Sequence, residues 1–351
     1  GQGGEVLGGA AHASTVCRVD APTVEAVTDR AESLPGLALS RGVLDRAAQR
    51  RTEPDLLARL LTDPSTRIHV VRGDRMQVLD GPTPHLPWRP PRPDDVERLG
   101  FFLGVLPDQP DDGWGAAGGA AVVAVVKPVV DPDPGGSEWD DSPSWVTLRQ
   151  AGALLPDLDA GIFTAAIALA NWHAAHGCCS RCGAPTRPAA AGWTRVCAQD
   201  GSEHYPRTDP AVIMAVRDVD DRMLFGRGVT WPVNQYSMLA GFVEPGESLE
   251  AAVIREVFEE SGIRADHVSY LGSQPWPFPS SLMIAMEARA VTTEIRWDPV
   301  ELADARWMTR EAYRKALQDG QIRVPTGISV ARRIIERWLG QTVEAAAAST
   351  G

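Results

Sequence analysis

Nowhere in the 351 residues is there a run of about 18 apolar positions, so no transmembrane helix is expected. The opening stretch, GQGGEVLGGAAHAS, lacks a basic segment followed by an apolar one, so a secretory signal is not expected either. Basic residues are in the minority. There are 34 Lys and Arg against 46 Asp and Glu, and the net charge of −12 argues against a dedicated nucleic-acid surface, though not against a local basic patch. Cysteine is scarce. Five occur, three of them at metal-ligand spacing, which fits a reducing cytoplasm and a zinc site better than a disulfide framework. No internal repeat is evident.

The remainder is ordinary for a globular chain, 44% hydrophobic and 23% charged, and the length suggests two domains with a small module between them. Residues 1–35 are Gly/Ala-rich and weakly patterned, and are expected to be partly disordered. Residues 45–64 have helical periodicity. Residues 67–80 read as two strands around Gly73-Asp74, a hairpin turn signal. Further strands are expected at 101–107 and 120–130, followed by a Pro/Gly/Asp/Ser surface loop at 131–144. Together 36–160 form a β-rich domain. Residues 159–177 are expected to form a helix with an apolar stripe, leading into a cysteine-bearing segment. From 207 the pattern turns α/β: strands at 211–218, 222–228 and 238–244, a helix at 247–261, strands at 267–273 and 283–290, and helices at 311–319 and 328–340, the last ended by Gly340. Residues 341–351 are expected to fray.

The densest chemistry lies in GFVEPGESLEAAVIREVFEESGI, residues 241–263. Glu256, Glu259 and Glu260 stand at i, i+3 and i+4, one face of a helix. Like charges so placed repel, and a hard cation such as Mg²⁺ or Mn²⁺ would relieve them while bridging to phosphates. A solvated acidic face is the common alternative. Here it is outweighed, because Gly241, Glu247, Arg255, Glu256, Glu259, Glu260 and Gly262 fall in the pattern G-x5-E-x7-R-E-U-x-E-E-x-G-U, with Val257 and Ile263 at the apolar positions. With each fixed residue at about 7% frequency, chance supplies this in roughly one window in a billion.

Cys179-Ser-Arg-Cys182 is one half-site of a zinc ribbon. Cys197-Ala-Gln-Asp200 follows, with Asp where a fourth Cys would stand. Carboxylate is a legitimate zinc ligand, so Cys179, Cys182, Cys197 and Asp200 are the first choice. His204 is an alternative fourth ligand, Cys178 breaks the two-residue spacing, and a metal-free knuckle is the remaining alternative. Four protein ligands would make the site structural.

The 241–263 segment resembles the Nudix box without a mismatch. SQPWPFPSS, ten residues beyond it, is similar to the signature of the NADH pyrophosphatase branch, and ALANWHAAHGCCSRCG (168–183) resembles the segment before that branch's cysteines, with Cys178 in place of Phe. The resemblance is close over 145–340 and loose before it. It implies an α+β fold: a β-rich, Nudix-like domain (36–160), a helix and zinc ribbon (161–206), a Nudix α/β/α sandwich (207–340) and a tail (341–351). It further implies hydrolysis of the pyrophosphate of NADH or NAD⁺ to the nicotinamide mononucleotide and AMP. Glu256, Glu260 and Glu301, with Glu259 beside them and the Ala240 carbonyl, would hold Mg²⁺ or Mn²⁺. Glu260, ahead of Glu259, would take the proton of the attacking water, and Arg255 would orient a box glutamate. Glu247 would support the loop, and Gly241 and Gly262 would serve as loop and helix-end residues.

By the same resemblance Phe242 would stack on a substrate ring. Tyr205, Ala331 and Arg149 would touch substrate, and Gln274, Pro275, Trp276, Pro277, Phe278, Pro279, Ser280 and Ser281 would form the recognition loop. Aromatic, proline-stiffened loops suit flat rings and lose little entropy on binding. Gly192 stands where relatives carry a substrate-contacting Glu. The family is also known for cleaving the NAD cap of RNA 5′ ends, releasing the nicotinamide mononucleotide and leaving 5′-monophosphate RNA, and Arg332-Arg333 could hold that RNA. A broad ADP-ribose or coenzyme A hydrolase, or a non-catalytic zinc-ribbon and pseudo-Nudix binding protein, are the lesser alternatives. Relatives are homodimers, so Trp276 and Phe278 could also serve a subunit contact.

Overall fold

The first strand pair is dictated by Gly73, whose φ of +62° turns the chain between β1 (Arg67–Arg72) and β2 (Arg75–Val78). The computed structural model describes residues 34–107, 119–128 and 144–348. The expectations for 1–33, most of the 131–144 loop and residues 349–351 therefore concern residues outside those described. Strands β3 (Gly100–Val105), β4 (Ala121–Lys127) and β5 (Ser144–Thr147) complete a sheet of order β3-β4-β1-β2-β5, in which only β1 and β4 are parallel. The helix expected at 45–64 is instead a 3-10 turn (Ala48–Thr52) and a short α1 (Leu56–Leu60). Pro54 cannot continue a helix, and Asp55 takes a left-handed φ of 51°.

After the short α2 (Leu148–Ala151) comes α3 (Asp157–Ala175), which covers this sheet. In place of an apolar stripe, α3 is buried around most of its circumference, including Asp159, whose Oδ2 accepts from Leu86 N at 2.9 Å. The next strands, β6 (Thr186–Ala189), β7 (Thr194–Cys197) and β8 (Glu203–His204), form a three-stranded antiparallel ribbon.

Strands β9 (Asp209–Arg217), β10 (Met223–Gly228), β11 (Leu239–Phe242), β12 (Ala265–Trp276), β13 (Ser281–Ala290) and β14 (Leu302–Met308) make the last sheet, of order β12-β13-β9-β10-β14 with β11 beside β9. One face packs on α4 (Leu249–Ser261) through Val212, Met214, Ile284, Val253 and Val257. The other packs on α5 (Arg310–Gln318) and α6 (Val330–Leu339) through Ile213, Phe225, Tyr313 and Ile334. Residues 343–348 do not fray. They form α7 (Val343–Ala348), because Val343 and Ala346 find places in that same core.

Candidate active site and zinc ribbon

Helix α4 starts where Ser248 Oγ accepts from Ala251 N at 3.2 Å and stops at Gly262, whose φ is +72°. Those caps set which turn of the helix faces β11. Glu256 lies directly on Gly241, where an added Cβ would come within 1.9 Å of the Glu256 Cδ. Gly241 is thus a strand residue, not the expected loop residue, and its missing side chain is the space the Glu256 carboxylate occupies.

Arg255 is the hub of the box. Its Nε and Nη2 donate to Glu247 at 2.8 and 2.9 Å, its Nη1 to Glu256 at 2.8 Å and Glu259 at 3.0 Å, and its Nη2 also to the Phe242 carbonyl at 2.9 Å. The paired guanidinium, with the Glu244 N–H, holds the Glu247 carboxyl down at about 2. Glu247 therefore ties the loop to the helix, as expected, and Glu259 turns outward, more than half exposed.

Glu260 differs from its neighbours. It is 6% exposed, and among the described residues no Lys, Arg or His pairs with it. Burial first, then the charges of Glu256 and Glu301, push its carboxyl up to about 8, against a hydrogen bond from the Ala240 backbone. Burial also raises Glu256, partly offset by Arg255. Glu301, exposed in the turn before β14, acts on both. Glu256, Glu260, Glu301 and the Ala240 backbone thus share one place. These carboxylates act on one another, and among the described residues no cation answers the deepest of them; carboxylate oxygens are the donors a hard divalent ion takes.

The expected recognition loop is partly strand. Gln274, Pro275 and Trp276 end β12, and the turn back into β13 begins only at Pro277. Gln274 is fully buried. Its Oε1 accepts from Leu39 N at 3.0 Å and its Nε2 donates to the Ile328 carbonyl at 2.8 Å, so it fastens the hairpin to both flanking segments. Trp276 and Phe278 meet edge to face at 5.0 Å, and the Arg149 guanidinium lies 3.9 Å from the Phe278 ring centre. The aromatic pair expected to meet substrate or another subunit is thus already in contact with Arg149 of its own chain. Asn171, which sequence reasoning passed over inside ALANWHAAHG, donates to the Pro277 carbonyl at 2.9 Å. Ser280 donates to Asp209 at 2.8 Å.

Phe242 and Tyr205 are exposed, 60% and 65%, and the Tyr205 hydroxyl donates to Glu203 at 2.6 Å. Ala331 is 1% exposed within the α6 core, so its side chain is not open to a ligand. Gly192 has a φ of +90°, and a Cβ there would come within 2.5 Å of the Gly100 carbonyl. Close packing of the ribbon on β3 accounts for glycine there and leaves no room for a longer side chain.

In the ribbon, ligand atoms of Cys179, Cys182, Cys197 and Asp200 lie within 4.8 Å of one another. Ser202 donates to Asp200 Oδ1 through its backbone at 2.9 Å and its hydroxyl at 2.6 Å, which holds that carboxyl ionised, with a pKa near 2. Three thiols and an oriented carboxylate suit zinc. His204 faces Ser202 at 3.4 Å and is not part of the cluster, and neither is Cys178.

Comparison with known proteins matches residues 207–325 to the NUDIX domain and residues 174–205 to the NADH pyrophosphatase zinc ribbon domain. The NAD-capped RNA hydrolase NudC of Mycobacterium bovis (strain BCG / Pasteur 1173P2) is 39% identical over 316 residues, 86% of this chain and 94% of the relative. The human NAD-capped RNA hydrolase NUDT12 is 41% identical over 197 residues, 53% of this chain and 43% of the relative. Among solved structures, a NUDIX hydrolase from Nitrosomonas europaea matches 47% of this chain and 94% of its own at 20% identity, with a TM-score of 0.36, too low to add to the sequence matches.

Proposed function

The chain belongs to the NudC family of NAD-capped RNA hydrolases, Nudix enzymes with a zinc ribbon, and from that membership we propose how its own residues work. It is a hydrolase of the pyrophosphate bond of NAD⁺ and NADH, giving the nicotinamide mononucleotide and AMP. On NAD-capped RNA the same cleavage releases the mononucleotide and leaves a 5′-monophosphate end. The observation that carries the site assignment is Glu260: buried, without a cation partner among the described residues, and crowded by Glu256 and Glu301.

Glu256, Glu260, Glu301 and the Ala240 carbonyl would hold Mg²⁺ or Mn²⁺, with Glu259 at the rim. Such ions, when bound, screen the pyrophosphate and make water a better nucleophile. Glu260 takes the proton of the attacking water. Arg255 fixes Glu256 and Glu259 in place, so that positioning and charge rather than covalent chemistry supply the rate. Phe242 and Tyr205 offer exposed faces to the substrate rings. Trp276 and Phe278 bound the substrate side, stiffened by Pro275, Pro277 and Pro279 and backed by Arg149, while Gln274, Ser280 and Ser281 set the hairpin's shape. Ala331 contributes through the packing of α6. Cys179, Cys182, Cys197 and Asp200 hold a structural zinc. Segments 36–160, 161–206 and 207–340 act as the β-rich, ribbon and catalytic parts. A homodimer in the cytoplasm is the working assembly, on the model of the family and the scarcity of cysteine.

The test is direct. The protein is incubated with NAD⁺, NADH, ADP-ribose and an NAD-capped oligoribonucleotide, with Mg²⁺ or Mn²⁺, and the products are identified. Nicotinamide mononucleotide with AMP, and with 5′-monophosphate RNA from the capped oligomer, is expected. None of these from any substrate would overturn the assignment.

A further inference from the structure

The turn that carries Phe278 depends on other parts of the chain for its shape. The β12–β13 ladder ends at the pair Trp276 and Ser281. Beyond it Pro277 and Pro279 have no N–H to give, and within the turn Phe278 N donates to the Trp276 carbonyl at 2.7 Å. Two residues from elsewhere fasten the limbs. On the Ser280 side, Asp209 accepts from the serine hydroxyl at 2.8 Å and its own N–H donates to the Ser280 carbonyl at 2.8 Å. On the Pro277 side the partner is Asn171, whose Nδ2 donates to the Pro277 carbonyl at 2.9 Å across 106 positions.

Asn171 goes against local preference. It lies in α3, where asparagine is a poorer helix former than alanine. Its neighbours Ala170, Trp172 and His173 are buried, which fixes the helix at this point, and Asn171 itself is half-buried toward the hairpin. An interior amide that merely satisfies a carbonyl is the ordinary reading of such a bond. Here the carbonyl belongs to the peptide that leads into Phe278. A peptide unit is planar, so pinning its oxygen sets the direction in which the chain enters Phe278 and leaves Trp276.

The rest of the hairpin is gripped from the same side. Leu39 N donates to Gln274 at 3.0 Å and Ser40 Oγ to the Ser273 carbonyl at 2.8 Å. The Arg149 guanidinium lies 5.0 Å from the Trp276 ring centre and 3.9 Å from that of Phe278. These contacts, like that of Asn171, come from residues before 207. The box is held differently: Arg255 takes Phe242, Glu247, Glu256 and Glu259, all within one short stretch of the chain. The part that holds the hairpin and the part that holds the metal carboxylates are therefore separate.

We propose that Asn171 is a positioning residue for substrate recognition. Through the Pro277 carbonyl it sets Trp276 and Phe278 in the arrangement that meets the dinucleotide, and it has no part in the attack of water. Its role rests on the proposed reading of the hairpin as the recognition element. It gives the part of the chain before 207 a task in the reaction, which is to fix how tightly the substrate is held.

The experiment compares the wild-type protein with Asn171→Leu, which keeps the bulk of the side chain but cannot donate, and with Asn171→Ala. Steady-state kcat and KM for NAD⁺ are measured with Mg²⁺, the Tm of each protein is recorded, and NAD⁺ binding in EDTA is followed by calorimetry. Loss of one neutral hydrogen bond is expected to raise KM and Kd about three- to tenfold, with kcat within about twofold and Tm within about 3 °C. A lower Tm with KM and Kd unchanged would make Asn171 a packing residue only and overturn the proposal, as would a fall in kcat at unchanged KM. Should Asn171→Ala fail to fold, Asn171→Leu carries the comparison. If the wild-type protein binds NAD⁺ without cleaving it, the reading of the box fails, and Kd still decides the matter: weaker binding by Asn171→Leu supports the positioning role and equal binding sinks it. A wild-type protein that does not bind NAD⁺ at all would remove the hairpin's role and this one with it.

Discussion

The two large sheets share one plan. In the N-terminal sheet the order is β3-β4-β1-β2-β5 and in the C-terminal sheet β12-β13-β9-β10-β14, each with one parallel junction, β1 with β4 and β9 with β13. They part company in the connection between the second and third strands. Between β10 and β12 the chain adds β11 and the thirteen-residue α4 with its glutamates. Between β2 and β3 it adds only a five-residue 3-10 helix, Pro93–Glu97. Both inserts bury a carboxylate. Asp95 is fully buried and answered at once by Arg89, which donates to both its oxygens at 2.7 Å. Glu260 is nearly as buried, and among the described residues no arginine answers it. A closed pair is structure, whereas an open buried carboxylate is a request for an outside cation. The fold is common to both halves, and the chemistry belongs to one insert.

The strongest way to break this contrast is Glu260→Gln. We expect kcat to fall by at least about 10³, roughly 4 kcal/mol of transition-state stabilisation, with the circular dichroism spectrum unchanged. Near-normal turnover would remove Glu260 from the mechanism.

Arg89→Ala is the mirror experiment. Leaving Asp95 buried and unpaired should cost about 3–5 kcal/mol in denaturant unfolding. The kcat per folded molecule should hold, and a loss of kcat as large as the Glu260 variant's would show that the halves are not separable in this way.

A third test concerns the ribbon that joins them. Asp200→Ala should lower zinc affinity about 10–100-fold by chelator competition, whereas His204→Ala should not. The reverse pattern would move the fourth ligand to His204.

The smallest effect is in pH. In metal-free protein Glu260 titrates near 8, against an ordinary value of 4.5. A raised carboxyl favours the protonated folded state, so stability is intact below about 4.5 and falls as pH rises from there to about 8. Glu260→Gln should flatten that decline, raising the metal-free Tm at pH 8 by several °C, on the order of 1–2 kcal/mol. A wild-type Tm that does not fall between pH 5 and 8 would contradict the burial argument.

Much was legible in the residues because it is local. The i, i+3, i+4 glutamates, the helix end at Gly262, and the CxxC half-site each depend on neighbours a few positions away. What was misread depends on distant partners. That Arg149 stacks on Trp276 and Phe278 could not be read, because it is more than a hundred positions away. The chain after 341 looked frayed because nothing in it announces the core that receives Val343 and Ala346.

The sequence by itself determined the glutamate face, and its resemblance to the Nudix box implied the reaction: spacing places Glu256, Glu259 and Glu260 on one face of a helix, and helical geometry is fixed by the backbone. Only the tertiary structure decided that Glu260 is the buried one without a counter-charge among the described residues, and that Gly241 makes room for Glu256. Burial and charge pairing are properties of three-dimensional neighbours, and those neighbours come from three sheets that the chain reaches one after another.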